Sequence, residues 1–221
     1  GLGHPDTAAA YRRLGETEFH TYRYLTNPND ETLRLLGSEA TDWSNDSSPR
    51  KHYSAGRKAY DKYLETVLAN ESYTPLDQAE ALANFADWCM SFGKNNTARE
   101  FYGQAYQVLA QSEKYAEYAD SYMGQPKPAQ FFIPHTGFLE EVPPELTGVN
   151  LDVSLTVTNY GDVRSVEVLN PPEGLSEDNL WRIKKYVLNI PFRPAMKEGK
   201  VVTTRDFIWQ YAIIPQEEEA S

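Results

Sequence analysis

The residues whose types could support catalysis or metal binding are few and widely spaced. The chain contains one cysteine and four histidines: Cys89, His4, His20, His52 and His135. No two histidines stand four residues apart and none neighbours the cysteine, so their spacing does not predict a metal site. The sequence also lacks a G-x-S-x-G turn, an H-E-x-x-H pair and a phosphate-binding glycine loop. We therefore predict no catalytic residues, no metal and no cofactor, in a protein that is not an enzyme.

The single cysteine has two interpretations. Cys89 falls on the apolar stripe of a predicted helix, where a small buried hydrophobic residue is the ordinary explanation and a reactive thiol the alternative. It has no partner for an internal disulfide, which fits the cytosol and a bacterial periplasm equally well.

Charge and hydropathy exclude several classes of function. The formal net charge of the 221 residues is −11, with 18 acids and 12 bases in residues 1–125 and 14 acids and 9 bases in residues 126–221. Neither half offers a basic surface, which disfavours nucleic-acid binding and attraction to anionic lipid. No stretch reaches the roughly 18 apolar residues of a membrane helix. The leading Gly1 resembles a cleavage scar, so we expect a signal or anchor to have been removed.

Residues 1–125 are predicted to form an all-α domain. Helical periodicity recurs through this half without sustained alternation of apolar and polar residues. Asp6 or Thr7 can cap a helix that ends near Leu25. Two further helices begin at Pro49 and Pro75, where a proline in the first turn sacrifices no hydrogen bond. The polar breaks between these helices fall at residues 27–30, 47–49 and 70–74.

Within this half, residues 79–112 carry the clearest internal pattern. Small and large apolar residues recur with helical spacing on both sides of a turn at Gly93, at Leu82, Phe85, Ala86, Cys89, Ala98, Phe101, Tyr102 and Ala105. This pattern is similar to a tetratricopeptide repeat, a helix–turn–helix unit of about 34 residues. The likeness ends at residues 110–112, where the family's closing proline is missing. A single unit cannot bury its own apolar face, so neighbouring helices are expected to stack on it.

Twelve of the fifteen tyrosines lie in the helical half. They either line a concave groove that holds a peptide or fill the packing between helices. The likeness to the repeat family further implies that ligands contact the other side of the first repeat helix, at Asn84, Asp87 and Ser91. Ordinary surface polarity explains these three residues equally well.

The character of the sequence changes after residue 125. Five prolines between residues 126 and 147 favour an extended connector. From residue 148 to 215 the period becomes two, and Leu151, Val153, Leu155 and Val157 alternate with polar residues as in a half-buried strand. A turn at Gly161, a returning strand, a helix capped by Ser176 and a last strand over residues 201–212 complete a β-β-α-β order. The predicted fold class is therefore α+β.

Several local signatures in this second half resemble the C-terminal domain of the TonB family. They are the strand that follows Gly148, the turn at residues 161–163, the segment 166–168, the segments 192–195 and 198–202, and the aromatic strand around Trp209. Together they cover roughly residues 130–215, about two-fifths of the chain. Their order and spacing carry the resemblance more than any single piece does.

The resemblance implies a protein of the periplasm or cell envelope, secreted or lipid-anchored, that binds protein or peptide partners, including outer-membrane receptors. In this family the last strand accepts an extended peptide by strand addition. The corresponding edge here is residues 202–211, with Phe207, Trp209 and Tyr211 as binding residues. Their side chains alternatively belong to the core beneath the helix, which would still leave the backbone able to pair. We expect a non-catalytic adaptor and scaffold with no nucleic-acid partner, which reaches a membrane only through an anchor.

Two other functions stay open at this stage. The first is the periplasmic part of a TonB-type energy transducer for outer-membrane transport. However, the connector spans only ~70 Å when fully extended, at roughly 3 Å per residue. The second is an enzyme or accessory factor of envelope polysaccharide metabolism, which would require a cleft with paired carboxylates such as Glu140, Glu141 or Glu145. The acidic residues 216–221 are predicted to be a disordered tail.

Overall fold

The computed structural model describes residues 4–26, 48–131, 139 and 142–213. The chain divides into two compact units, Gly1–Tyr118 and Ala119–Ser221, whereas the sequence predicts a helical domain that ends at residue 125. The described residues form six α-helices and three small antiparallel sheets. This mixture confirms the α+β class. The polar break at residues 27–30 and the acidic tail at 216–221 lie outside the described residues.

Five of the six helices lie between residues 5 and 123. Their bounds are Pro5–Thr26 for α1, Pro49–Ala69 for α2, Pro75–Ser91 for α3, Asn95–Ala110 for α4 and Ala116–Met123 for α5. The predicted helix starts at Pro49 and Pro75 are confirmed. The described residues before 119 contain no strand, as the sequence predicts.

The start of α3 shows why the chain turns into a helix at this position. The backbone N–H of Asp77 donates to Thr74 Oγ1 at 3.3 Å, and the Thr74 N–H donates to Asp77 Oδ2 at 2.8 Å. These reciprocal bonds satisfy two donors that every helix start leaves unpaired. At the other end Gly93 adopts a φ of 68°, the left-handed conformation that ends a helix at little cost for glycine. The turn predicted at Gly93 is thereby confirmed.

A buried tryptophan organises the helical unit. The fully buried Trp88 ring packs against Tyr60 and Phe85, with ring centroids 5.2 and 5.8 Å away. Its indole Nε1–H donates to the carbonyl oxygen of Gly15 in α1 at 3.0 Å. A β-carbon at Gly56 in α2 would collide with this ring. The ring therefore joins α1, α2 and α3, and it fits only because position 56 has no side chain.

We predict that Gly56→Ala destabilises the protein by about 1–3 kcal/mol, because the added methyl group overpacks a dense core. Gly103 in α4 is the matched control, since a β-carbon there meets no atom within 4 Å. Gly103→Ala should stabilise the protein by roughly 0.5–1 kcal/mol, because alanine loses less conformational freedom than glycine in a helix. Urea unfolding measures both changes, and equal effects of the two substitutions would contradict the packing described for Trp88.

The second unit is built on a three-stranded sheet. The strands of the whole unit are Lys127–Pro128 for β1, Asn150–Val157 for β2, Val163–Val168 for β3, Phe192–Arg193 for β4, Met196–Lys197 for β5, Lys200–Val201 for β6 and Thr204–Ala212 for β7. The main sheet has the antiparallel order β3-β2-β7, and the short pairs β1-β4 and β5-β6 stand beside it. Helix α6 covers residues Glu177–Leu188, and a 3₁₀ turn covers Pro144–Leu146.

Alternation along β2 sets the core of this unit. Its burial pattern places Leu151, Val153, Leu155 and Val157 inside, as the sequence predicts. Ile183 and Val187 of α6 belong to the same core. The Ser176 side chain caps α6 by accepting a hydrogen bond from the Asn179 N–H at 3.2 Å, which confirms the predicted cap.

Two features of this unit differ from the sequence prediction. The sequence analysis does not predict the two-residue strands, which are too short for a periodic signal. It starts the last strand at residue 201, whereas β7 begins at Thr204 and Val201 belongs to β6. That start is wrong because Glu198 and Gly199, with φ values of 51° and 74°, form a tight turn that ties β5 to β6.

Candidate functional site

The structure places the three predicted binding residues of α3 differently from one another. Asn84 is half-buried, Ser91 is half-buried, and Asp87 is completely buried. The Tyr102 hydroxyl donates to Asp87 Oδ1 at 2.5 Å, and Ser91 Oγ donates to the Asp87 carbonyl oxygen at 3.0 Å. The expectation that Asp87 lies on an exposed side of the helix is therefore wrong. A buried carboxylate needs a hydrogen-bond donor, and Tyr102 on the facing helix α4 supplies one.

Three of the described tyrosines in the helical half are buried, and most of the others are half-buried. Tyr60 and Tyr102 are fully buried, and Tyr106 is nearly so. Burial raises the pKa of Tyr60 far above its usual range. Tyr11, Tyr22 and Tyr63 remain half-buried. The buried members favour the packing interpretation over a groove lined by tyrosine rings.

Two of the described histidines of the helical unit lie beside carboxylates. His52 Nδ1 lies 2.8 Å from Glu18 Oε2 and links α2 to α1, while His4 lies beside Asp6 at the exposed start of α1. Within the described ranges no three residues of the types His, Cys, Asp and Glu come together as metal ligands. Glu145 is exposed, whereas Glu140, Glu141 and His135 lie outside those ranges.

The aromatic residues predicted as a peptide site belong largely to the core of the second unit. Tyr211 is buried, and Phe207 and Trp209 are half-buried on the same face of β7. The Phe192 ring lies 5.5 Å from Trp209, edge to face, and 6.4 Å from Phe207. Burial raises the pKa of the Tyr211 phenol. These side chains hold β7 in place, so any ligand must be bound mainly by other groups of the strand.

The backbone of β7 provides such groups. In the order β3-β2-β7 this strand is at an edge, and among the described residues only β2 pairs with it. The Ile213 N–H donates to the Val149 carbonyl at 2.9 Å. Because an antiparallel ladder alternates, the N–H and C=O groups of odd-numbered residues then face β2. Those of Ile208, Gln210 and Ala212 face away from the sheet.

The side chains along this edge fit an open surface. Ile208 is 57% exposed, Gln210 is exposed and Ala212 is half-buried. The resemblance to the TonB family implies an edge over residues 202–211, which includes Ile208 and Gln210 but not Ala212. No signal in the sequence identifies the outward groups, because side-chain alternation shows which face of a strand is buried and not which backbone groups lack a neighbour.

The two edges of the sheet differ in their protection against further pairing. Strand β3 is interrupted in its middle by a bulge at Ser165, whose φ is 48°, and it exposes the charged residues Arg164 and Glu167. In β7 the corresponding irregularity lies near one end, at Asp206 with a φ of 51°. The run from Phe207 to Ala212 contains no charge and no proline. Charges, prolines and bulges are the usual means of blocking an edge, and this run has none.

Comparison with models of protein families, with curated proteins and with solved structures gave no match. Among the described residues, no helix is both long and apolar enough to cross a lipid bilayer. The edge of β7 that faces away from β2 has no pairing strand among the described residues, and it is the candidate site that the geometry supplies. We call it the β7 edge and define it by the outward groups of Ile208, Gln210 and Ala212.

We predict that Cys89 is unreactive in the folded protein. Burial raises the pKa of its thiol to about 12, from an ordinary 9.0. At pH 8 the fraction of reactive thiolate is then about a thousandfold smaller than for an exposed cysteine, since each pKa unit changes it tenfold. Labelling with a chromogenic disulfide at pH 8 should be slow in buffer and rapid in urea. Rapid labelling of the folded protein would contradict the burial of this thiol.

Proposed function

We propose that the protein is a non-catalytic adaptor that binds an extended segment of a partner protein by strand addition to the β7 edge. The observation that supports the proposal is the uncharged run Phe207–Ala212, with its outward backbone groups, at the edge of the sheet. Unpaired N–H and C=O groups of a sheet edge are a template for another strand. Main-chain bonds of this kind bind a peptide with little demand on its sequence.

The magnitudes indicate how tightly such a peptide binds. Three outward residues offer six backbone groups, and a net gain of about 0.5–1.5 kcal/mol for each hydrogen bond gives roughly 3–9 kcal/mol. Association itself costs an estimated 4–15 kcal/mol of lost translational and rotational freedom. Backbone pairing therefore does not suffice alone. Contacts with the exposed Ile208 side chain and the half-buried Trp209 ring must contribute, so we expect modest affinity and a preference for apolar residues in the peptide.

The helical unit adds a scaffold in this proposal. Most positions that resemble a tetratricopeptide repeat are buried, among them Leu82, Phe85, Ala98, Tyr102 and Ala105, whereas Phe101 is half-buried. Their burial supports a stacked pair of helices that presents a protein-binding surface, of which half-buried Asn84 and Ser91 are candidate members.

The cellular location is part of the same proposal. The likeness of the second unit to the TonB C-terminal domain supports a place in the periplasm or cell envelope, with outer-membrane proteins among the partners.

A proline substitution in the β7 edge tests the proposed function. The full chain would be used to select binders from a random peptide library, and the affinity of a synthetic binder would be measured by calorimetry. We expect Gln210→Pro to weaken binding at least ~10-fold, because it removes an outward N–H that pairs with the peptide, while edge prolines with outward nitrogens are tolerated in sheets. Gln210→Ala is the matched control, since it keeps the N–H.

The control decides between strand addition and recognition by side chains. Equal losses in Gln210→Pro and Gln210→Ala would show that the glutamine side chain, and not the strand edge, binds the peptide. Hydrogen exchange adds an independent measurement, because a bound strand protects the amides of Ile208, Gln210 and Ala212. If selection enriches no peptide, or if these amides exchange equally with and without one, the proposal is wrong.

A further inference from the structure

We infer that a second copy of this chain pairs with the β7 edge, antiparallel and about a two-fold axis at Gln210, and thereby regulates access to it. The inference rests on the proposed function in one respect, that the same edge receives a peptide. Its structural basis is independent of that function. An exposed edge with neither charge, proline nor bulge pairs with any strand of suitable register, and an identical edge is present on every other copy.

Geometry restricts the registers available to such a pair. A two-fold axis perpendicular to the sheet keeps side chains on their original face, so residues directly opposite each other must have the same parity. The axis then passes midway between a residue and its own copy. The bulge at Asp206 ends the regular run on one side, and β7 ends at Ala212 on the other. Only an axis at Gln210 pairs all three outward residues, Ile208, Gln210 and Ala212, with one another.

The side chains that meet in this register complement one another. Ile208 lies opposite Ala212, which covers a 57% exposed isoleucine with an apolar partner on the outer face. Gln210 lies opposite its own copy. Its Nε2 donates to Asp152 Oδ1 of β2 at 3.5 Å, and its amide oxygen and second N–H are the groups that can meet the copy's amide. Trp209 lies opposite Tyr211 on the helix-covered face, and aromatic cross-strand pairs stabilise sheets by roughly 0.2–1 kcal/mol each.

Electrostatics also permits this contact despite the net charge of −11. The nearest charged residues of the strand are Arg205 and Asp206, which are opposite in sign and lie outside the paired run. No like charges therefore face each other across the axis. The remaining acidic charge acts at longer range and is screened beyond about 8 Å at physiological ionic strength.

The size of the contact predicts a weak dimer. The five paired residues, 208–212, span about 17 Å at roughly 3.3 Å per residue, so the paired surface falls below the ~1,200 Å² of a standard stable interface. The dimer should dissociate on dilution. Because self-pairing uses the same outward groups as a peptide, the two events exclude each other, and a peptide in excess converts dimer to monomer.

A charge-swap experiment on the full chain tests the register. Sedimentation equilibrium would be recorded over a wide concentration range for the wild type, Gln210→Lys, Gln210→Glu and an equimolar mixture of the two variants. Each variant alone places like charges directly opposite each other at the axis, so association should weaken at least ~10-fold, since such pairs destabilise a sheet. The mixture should recover association through a Lys–Glu pair. Glu167→Gln, on the opposite edge strand, controls for net charge and should associate like the wild type.

The outcomes separate this inference from the proposed function. If both single variants associate as the wild type does, or if the mixture fails to recover, the inferred register is wrong. A chain that stays monomeric at every concentration overturns self-pairing, yet peptide binding by that monomer would leave the proposed function intact. Conversely, a dimer that a library-selected peptide does not dissociate would show that self-pairing and peptide binding use different surfaces.

Discussion

The pairing of β2 with β7 is the interaction on which the second unit depends. It fixes which face of β7 reaches the core, and so buries Tyr211 and half-buries Phe207 and Trp209 beside α6. The same register decides the direction of every backbone group in the strand. A slip of one residue would expose the aromatic side chains and turn the outward groups inward. Core and edge are consequences of one hydrogen-bond pattern.

The helical unit depends on a comparable constraint, the space around Trp88. The indole requires an acceptor in α1 and a vacant position in α2, and Gly15 and Gly56 provide them. Tyr60 also needs room at Gly15, because a β-carbon there would touch its ring. Two glycines inside helices lower helix propensity, and the buried aromatic rings offset that cost by filling the space. The two glycines thus lower the intrinsic stability of their helices and allow the helices to pack closely.

Long elements with a regular apolar pattern were predictable from the sequence, and features that depend on a residue distant in the chain were not. The stripe through Leu82 and Phe85 and the alternation of β2 depend only on neighbours along the chain. The sequence predicts a surface position for Asp87 because its hydrogen-bond donor, Tyr102, lies on another helix. The predicted start of β7 at residue 201 is wrong because Glu198 adopts a left-handed conformation, in the turn between β5 and β6, that its residue type does not indicate.

The candidate site shows the same division between local and distant information. Sequence alone located the last strand and its aromatic face, which mostly serve the core. The edge over residues 202–211 was implied only by the resemblance to the TonB family, since a strand's sequence does not state whether it has one neighbour or two. The strand order supplies the structural evidence. Burial patterns of β7 then identified Ile208 as exposed within a half-buried strand. Position in the sheet, and not residue type, makes these residues candidates for binding.

The contrast between the two edges is the strongest argument that the open edge serves binding. An unprotected edge exposes a protein to aggregation, and β3 shows that this chain can protect an edge with a central bulge and two exposed charges. One lysine in place of Ile208 or Gln210 would protect β7 equally, at little cost to a surface position. β7, the longer of the two edge strands, has no such lysine. A partner strand that occupies this edge during function, from a peptide or from a second copy, would explain why.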